Sequence, residues 1–281
     1  MITFPNCKIN LGLNIIAKRA DGFHDIETLF LPLQLHDALE CVVSEKNTFE
    51  TYGIDIPGNS SDNIILKAYE LLKRDFPSLP QLSIYLLKHI PTGAGLGGGS
   101  ADGAFMLRLL NDYFNLKISN HKLSKYALSL GSDCPFFIYN TPCLATGRGE
   151  TLIPIELNLQ KYHIVLVKPD IHINTGWAFS QIQPHNPIHS ISETINTDIS
   201  NWQEFLINDF ETQIFKAHSI LPEIKSKLLE INACYASMSG TGSVVYGLFD
   251  STNTEISNLK ATLFKLFKTE KYWVTNQLRM S

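Results

Sequence analysis

Pro91-Thr92-Gly93-Ala94-Gly95-Leu96-Gly97-Gly98-Gly99-Ser100-Ala101 carries five glycines in the seven positions 93–99. An apolar, strand-like stretch precedes it at 82–90. Phe105, Leu109 and Tyr113 follow at helical spacing, with a helix start near Ser100. A glycine-rich bend between strand and helix lets backbone come close to a ligand. The helix N-terminus adds unpaired N–H groups and the positive end of its dipole. Such a bend is a cradle for a di- or triphosphate; a flexible loop with no ligand is the other reading. Two common patterns do not fit. Gly93-x-Gly95-x-x-Gly98 has dinucleotide spacing, but it lies far from the first strand and follows a proline, and its acidic residue would fall at Asp112, inside a helix. A Walker A loop ends in Lys-Ser or Lys-Thr, whereas here the pair is Gly99-Ser100.

Upstream, Ile9, Leu11, Leu13 and Ile15 alternate with Asn10, Gly12 and Asn14, which predicts a half-buried strand with Lys8, Asn10, Gly12 and Asn14 on its open face. Further strands are predicted at 27–35, 39–44 and 49–54, with Pro32 demoting part of the first to an edge or bulge. A helix is predicted over 63–76, capped by Ser61 or Asp62 and stopped by Pro77, and another over 122–130, stopped by Gly131. Beyond Gly147-Arg148-Gly149 come a strand at 162–167, a polar stretch at 181–201 and helical segments across 202–230. A second glycine turn at 239–242, a strand at 244–249, a helix at 254–268 and a strand at 271–278 complete the chain. Hairpins first and helices grouped later predict an α+β protein, with a break near residue 152.

With 281 residues, 44% hydrophobic and 18% charged, the chain has the composition of a soluble globular protein of two domains or one large one. A net charge of −4 provides no positive field for nucleic acid. Five scattered cysteines without CxxC spacing argue against a disulfide framework or a zinc site and fit a reducing cytoplasm. No apolar run approaches the ~18 residues of a membrane span. The expected partner is therefore a small molecule, with no nucleic acid and no membrane, and the expected state is a cytoplasmic monomer or weak homodimer.

Three stretches together resemble the GHMP kinase family (galactose, homoserine, mevalonate and phosphomevalonate kinases): the glycine loop, Lys8-Ile-Asn10-Leu11, and Met238-Ser-Gly-Thr-Gly242-Ser243. Their spacing fits across nearly the whole chain. The resemblance implies a two-domain α+β fold, with a ribosomal protein S5 domain 2-like unit at 1–152 that binds ATP and a ferredoxin-like α/β sandwich at 153–281. Arg19-Ala-Asp-Gly-Phe23-His24, the triple glycine at 97–99 and Gly131-Ser-Asp133-Cys-Pro-Phe-Phe137 are similar to one branch of the family. That branch uses ATP to phosphorylate the 2-hydroxyl of a cytidine diphosphate conjugate of methylerythritol. A mevalonate- or homoserine-type kinase is the alternative, as is a catalytically silent nucleotide-binding regulator on the same fold.

Asp133, just after a helix stop, reads from its residues alone either as a turn or cap residue or as a general base for a hydroxyl. Lys8 reads as a solvated strand-end lysine or as an ammonium that offsets phosphoryl charge. The resemblance implies that Lys8 and Asp133 act together in catalysis. It implies that Pro91 to Ala101 hold the ATP phosphates, with Asn63, Ile64 and Lys88 near the adenine end. For the substrate it implies Asn10, stacking by Phe23 on cytosine, a hydrogen bond from His24, a second stacking ring at Phe179 and a contact from Thr175. Phe23 stands where the family usually has tyrosine, and Gly103 where it usually has alanine. Gly98 and Gly99 occupy positions at which mevalonate kinases carry magnesium-binding serines, so no dedicated metal ligand is expected and magnesium is expected to arrive with ATP, held by phosphates and water.

Overall fold

The computed structural model describes residues 1–279. Its elements run β1 (Ile2–Thr3), β2 (Asn6–Lys18), β3 (His24–His36), β4 (Ala38–Val43), β5 (Thr48–Gly53), α1 (Ile64–Asp75), β6 (Leu82–Lys88), α2 (Gly98–Tyr113), α3 (Asn120–Leu130) and α4 (Cys134–Tyr139). There follow β7 (Cys143–Thr146), β8 (Thr151–Pro154), β9 (Tyr162–Lys168), α5 (Thr175–Ser180), α6 (Ile191–Thr194), α7 (Trp202–Phe205), α8 (Glu211–Ala217) and α9 (Ile220–Glu230). The last are β10 (Tyr235–Met238), β11 (Val245–Asp250), α10 (Ile256–Leu266) and β12 (Lys271–Thr275). The architecture is α+β with mixed and antiparallel sheets, as the sequence predicts. The chain forms two compact units that interleave along the sequence. One comprises Met1–Cys7, Leu35–Thr92 and Gly97–Thr141, and the other Lys8–Gln34, Gly93–Leu96 and the chain from Pro142 onward.

In the first unit a sheet of order β1-β4-β6-β5 is antiparallel except for the β5–β6 pair. Strand β6 alternates cleanly: Leu82, Ile84 and Leu86 are buried, and Leu87 on the opposite face is exposed. In register with them, Leu39 pairs Leu86 and Cys41 pairs Ile84, so one face of the sheet is continuous core. The Cys41 sulfur touches the Met106 sulfur of α2, tying that face to the helical layer α1–α4. Helix α1 is capped by Asn63, whose side chain accepts from the Ile65 N–H; Ser61 and Asp62, the expected caps, lie in the 3-10 turn before it. A Cβ on Gly103 would sit 2.8 Å from Ile64 Cγ1, so α1 and α2 approach more closely than an alanine allows.

The second unit holds two four-stranded sheets, of order β2-β3-β7-β8 and β10-β11-β9-β12. The core of the latter joins Val165, Val167, Ala236, Met238, Val245 and Phe249 to Ile224 and Leu228 of α9 and Leu259 and Leu263 of α10. Pairing of β3 with β7 ends at Phe30, which places Pro32 where β7 no longer runs alongside. Strand β2 differs from expectation. It is buried on both faces from Asn6 to Ile15, so Lys8, Asn10 and Asn14 do not sit on an open face. Period-2 alternation marks two kinds of face, not which of them meets water. Helix α4 has no counterpart among the expected elements, and the polar stretch 181–201 contains α6, closed by a Ser190–Glu193 capping box.

Candidate active site

The glycine loop runs from β6 to α2. Gly93, Gly95 and Gly97 adopt positive φ (61°, 80° and 68°), and Gly97 forms the N-cap of α2 in the left-handed conformation. Only glycine suits Gly95, because a Cβ there would lie 1.9 Å from the Ser239 carbonyl oxygen. The carbonyl of Ala94 accepts from Val244 N–H (3.2 Å), that of Gly95 from the Ser239 hydroxyl (2.8 Å), and that of Leu96 from Lys8 N–H (3.0 Å). Among the described residues no protein acceptor takes the N–H groups of residues 93–99. Carbonyls turned inward with their amides unclaimed make an anion-binding backbone.

Lys8 is buried at the foot of this arrangement within the second unit. Its ammonium donates to Asn10 Oδ1 (2.7 Å) and, at longer range, to the Gly95 carbonyl (3.4 Å), and it lies 4.8 Å from the Phe30 ring centroid. Asn10 in turn donates to Thr28 Oγ1 (2.9 Å), and the Thr28 hydroxyl donates to the Gly12 carbonyl (2.6 Å). This corrects the expectation for Asn10. Its amide is buried and engaged with Lys8 and Thr28, so it orients the lysine instead of meeting substrate.

Asp133 belongs to the first unit. It occupies the N-cap position of α4, yet its side chain makes no capping hydrogen bond to that helix. The helix it begins packs against α2, and burial there pushes the Cys134 thiol up to about 12.

Lys88 also departs from expectation. It is not at a nucleotide surface but in a buried ion cluster, with side-chain exposures of 1% for Lys88, 0% for Asp37 and 3% for Asp102. The ammonium contacts both Asp37 Oδ2 and Asp102 Oδ2 (2.7 Å). Asp37 Oδ1 accepts from the N–H groups of His89 (2.5 Å) and Ile90 (2.8 Å). Asp102 has no such donors, and its Oδ1 is buried without a partner. Burial therefore pushes the Asp102 carboxyl up, to about 8, against the pull of Lys88. Burial also works against the Lys88 ammonium, but Asp102 and Asp37 outweigh it and hold its pKa above the ordinary lysine value. The two shifts look opposed, because the lysine follows its partners while Asp102 follows desolvation. Two carboxylates share one ammonium here, and the one without N–H donors is the one that takes a proton. Asn63 likewise acts as a helix cap, its Oδ1 accepting from the Ile65 N–H.

At the β2–β3 turn, His24 stacks on Phe179 (4.9 Å between centroids, 20° between planes), and Phe179 meets Phe210 edge-on at 4.9 Å. Burial, then the nearby Lys18, lowers the His24 pKa, which favours a neutral imidazole able to donate and accept. Phe23 remains exposed. Thr175 is exposed, and its hydroxyl lies 3.4 Å from that of Thr241 in the second glycine turn. Sequence reasoning missed Asn208 and Glu211. Asn208 donates to the carbonyls of Met238 (2.7 Å) and Gly240 (2.9 Å), and Glu211 accepts from Ser237 Oγ (2.8 Å) and Met238 N–H (2.7 Å). They hold the second glycine turn in place. Their i, i+3 spacing ahead of a helical segment was the available signal.

The family model for the GHMP kinases N terminal domain matches residues 63–141, and that for the GHMP kinases C terminal domain matches 191–265. The chain belongs to the GHMP kinase family. A 4-diphosphocytidyl-2-C-methyl-D-erythritol kinase from Bacteroides fragilis is 50% identical to this GHMP kinase over 274 residues, covering 96% of this chain and 99% of the relative. A crystal structure of 4-(cytidine 5'-diphospho)-2C-methyl-D-erythritol kinase superposes with a TM-score of 0.84 at 26% identity, over 99% of this chain and 100% of that one. The mevalonate kinase of Methanococcus jannaschii reaches 0.71 at 12% identity, over 99% and 98% of the chains, which shows a shared fold. As a kinase of this family the protein uses ATP. No helix among the described residues is long and apolar enough to cross a membrane.

Proposed function

We propose that this kinase transfers the γ-phosphoryl group of ATP to the 2-hydroxyl of 4-(cytidine 5'-diphospho)-2-C-methyl-D-erythritol. The observation that carries the reading is the glycine bend at 93–99, with positive φ at Gly93, Gly95 and Gly97 and N–H groups that no protein acceptor among the described residues takes. The similarity to relatives named for this activity, at 50% identity over nearly the whole chain, supports the choice of substrate. In the reaction the loop amides and the N-terminus of α2 hold the phosphates. Asp133 orients the acceptor hydroxyl and takes its proton as the oxygen–phosphorus bond forms and the γ-phosphorus–oxygen bond to ADP breaks. The Lys8 ammonium, fixed by Asn10, offsets the charge that accumulates on the transferred group. Phe23, His24, Phe179 and Thr175 are the residues assigned to the cytidine end. Magnesium, arriving with ATP, is held by phosphates and water.

We further assign the family's two domains to 1–152 and 153–281, on either side of which the two family models fall, and place the protein in the cytoplasm as a monomer or weak homodimer. An ADP-release assay against a panel of the cytidine conjugate, mevalonate, homoserine and galactose tests the substrate. Turnover confined to the conjugate supports it, and turnover of another alcohol with none of the conjugate overturns it.

A further inference from the structure

Phe23 sits at the tip of the β2–β3 turn with 48% of its surface exposed. The turn is well fixed. Arg19 N–H donates to the Phe23 carbonyl (2.9 Å), Phe23 N–H donates to Asp21 Oδ1 (3.1 Å), and the Arg19 guanidinium bonds Asp21 (3.1 Å) and Asp25 (2.8 Å). A rigid backbone does not fix a phenyl ring, and this ring has no hydroxyl with which to anchor itself. The anchor comes from elsewhere. Arg148, in the turn between β7 and β8, lays its guanidinium over one face of Phe23, with Cζ 3.9 Å from the ring centroid. The two turns are joined by the Ile26 N–H to Gly147 carbonyl bond (2.7 Å), and Glu150 Oε2 accepts from Arg148 N–H (2.6 Å) to shape the second turn. Asp21 feels the same arginine. The Phe23 N–H holds its carboxyl below the ordinary value against burial, the next effect in size, with Arg19 and then Arg148 adding to the lowering.

Phe179 packs against His24 and Phe210, whereas Phe23, 48% exposed, has the guanidinium of Arg148 over one face. We propose that Arg148 is a positioning residue for substrate recognition: its planar guanidinium holds the Phe23 ring so that the opposite face stacks on the pyrimidine base of the substrate. This rests on the substrate reading above. It assigns Arg148 a role through Phe23, with no direct contact to the reacting atoms. A ring held in one orientation loses little freedom when a base stacks on it, so the arginine acts on affinity for the base and not on phosphoryl transfer.

The test is a double-mutant cycle in the full chain with Arg148→Met and Phe23→Ala, varying the cytidine conjugate and ATP separately. Arg148→Met is expected to raise the KM for the conjugate about five-fold or more and to weaken competitive inhibition by cytidine diphosphate equally, with the KM for ATP unchanged. Arg148→Lys, which keeps the charge but not the plane, is expected to recover part of the loss and serves if the methionine variant does not fold. In the Phe23→Ala background the arginine substitution is expected to add nothing. An unchanged KM for the conjugate, an equal rise in the KM for ATP, or an additive loss in the Phe23→Ala background overturns the assignment. A wild-type chain inert toward the conjugate removes the substrate reading and this role together; wild-type turnover with an indifferent Arg148→Met removes this role alone.

Discussion

Lys88 holds Asp102 at 2.7 Å beneath the first turn of α2, its Nζ only 3.1 Å from where a Cβ on Gly98 would be. With Asp37 as its second partner it joins both flanks of the glycine loop, residues 88–90 on one side and Asp102 on the other. The cluster is buried and carries one more acid than base. Removing the cation leaves the buried Asp37 carboxylate without its counter-ion and Asp102 without its hydrogen-bond donor, so Lys88→Met is expected to cost about 3–5 kcal/mol, read as a lower urea midpoint. A midpoint within error of wild type would show that the cluster is dispensable.

Asp102 gives that cluster a pH signature. Its folded pKa of about 8 lies above the ordinary 3.8, so the folded state binds more protons than the unfolded state between those values. Its contribution to stability is complete below the ordinary value and is lost as pH rises toward 8. Asp102→Asn, which keeps the shape and cannot ionise, is expected to flatten that fall and to be more stable than wild type, relative to their values at pH 5, when both are unfolded in urea at pH 9. Parallel pH profiles for the two proteins would count against a protonated Asp102.

Asp133→Asn is expected to lower kcat by about 10²–10⁴-fold while leaving the thermal midpoint nearly unchanged, because the side chain does not cap α4. Steady-state kinetics and a melting curve on the same preparation check both parts. A large loss of stability with little loss of rate would return Asp133 to a structural role.

At Gly95 the backbone has a φ of 80° and the Ser239 carbonyl fills the place of a side chain. Gly95→Ala is expected to displace the loop from the second glycine turn, raising the KM for ATP at least ten-fold and lowering stability by about 2 kcal/mol or more. Calorimetric titration with a non-hydrolysable ATP analogue and denaturant unfolding separate the two effects.

Gly103→Ala opposes two terms. Helix propensity favours alanine by about 1 kcal/mol, but its methyl would press on Ile64 Cγ1 at 2.8 Å. Overpacking of about 1–3 kcal/mol is expected to win, giving a net lower melting temperature. The double variant with Ile64→Val, which relieves the Cδ1 contact, should recover part of the loss.

Much of this architecture was legible in local pattern. The strand at 82–90, the helix over 63–76 and the loop between strand and helix follow from apolar periodicity and glycine spacing, and β6, α1 and α2 form close to those places. What escaped is non-local. Asp37 is a single acid before Ala38 with nothing nearby to mark it, and only the fold brings it to Lys88, 51 positions on. Lys88 therefore reads as a ligand-facing lysine until its burial is seen. Asn10 shares a strand face with Lys8, a relation visible in the alternation. That the face is covered, and that the amide serves the lysine, depends on Thr28 and on Ser239 and Tyr246 from far along the chain. The capping box at Ser190 and Glu193 was present in the sequence, hidden by its polar surroundings.

The hydrogen bond from the Tyr246 hydroxyl to the Asn10 carbonyl spans 236 positions. Because β2 receives such distant partners, the pocket that fixes the Lys8 ammonium cannot close until nearly all of the polypeptide has been synthesised. Recovery of phosphoryl transfer during renaturation should therefore trail the return of helical signal, and a nascent chain halted before β11 should acquire secondary structure while still chemically idle.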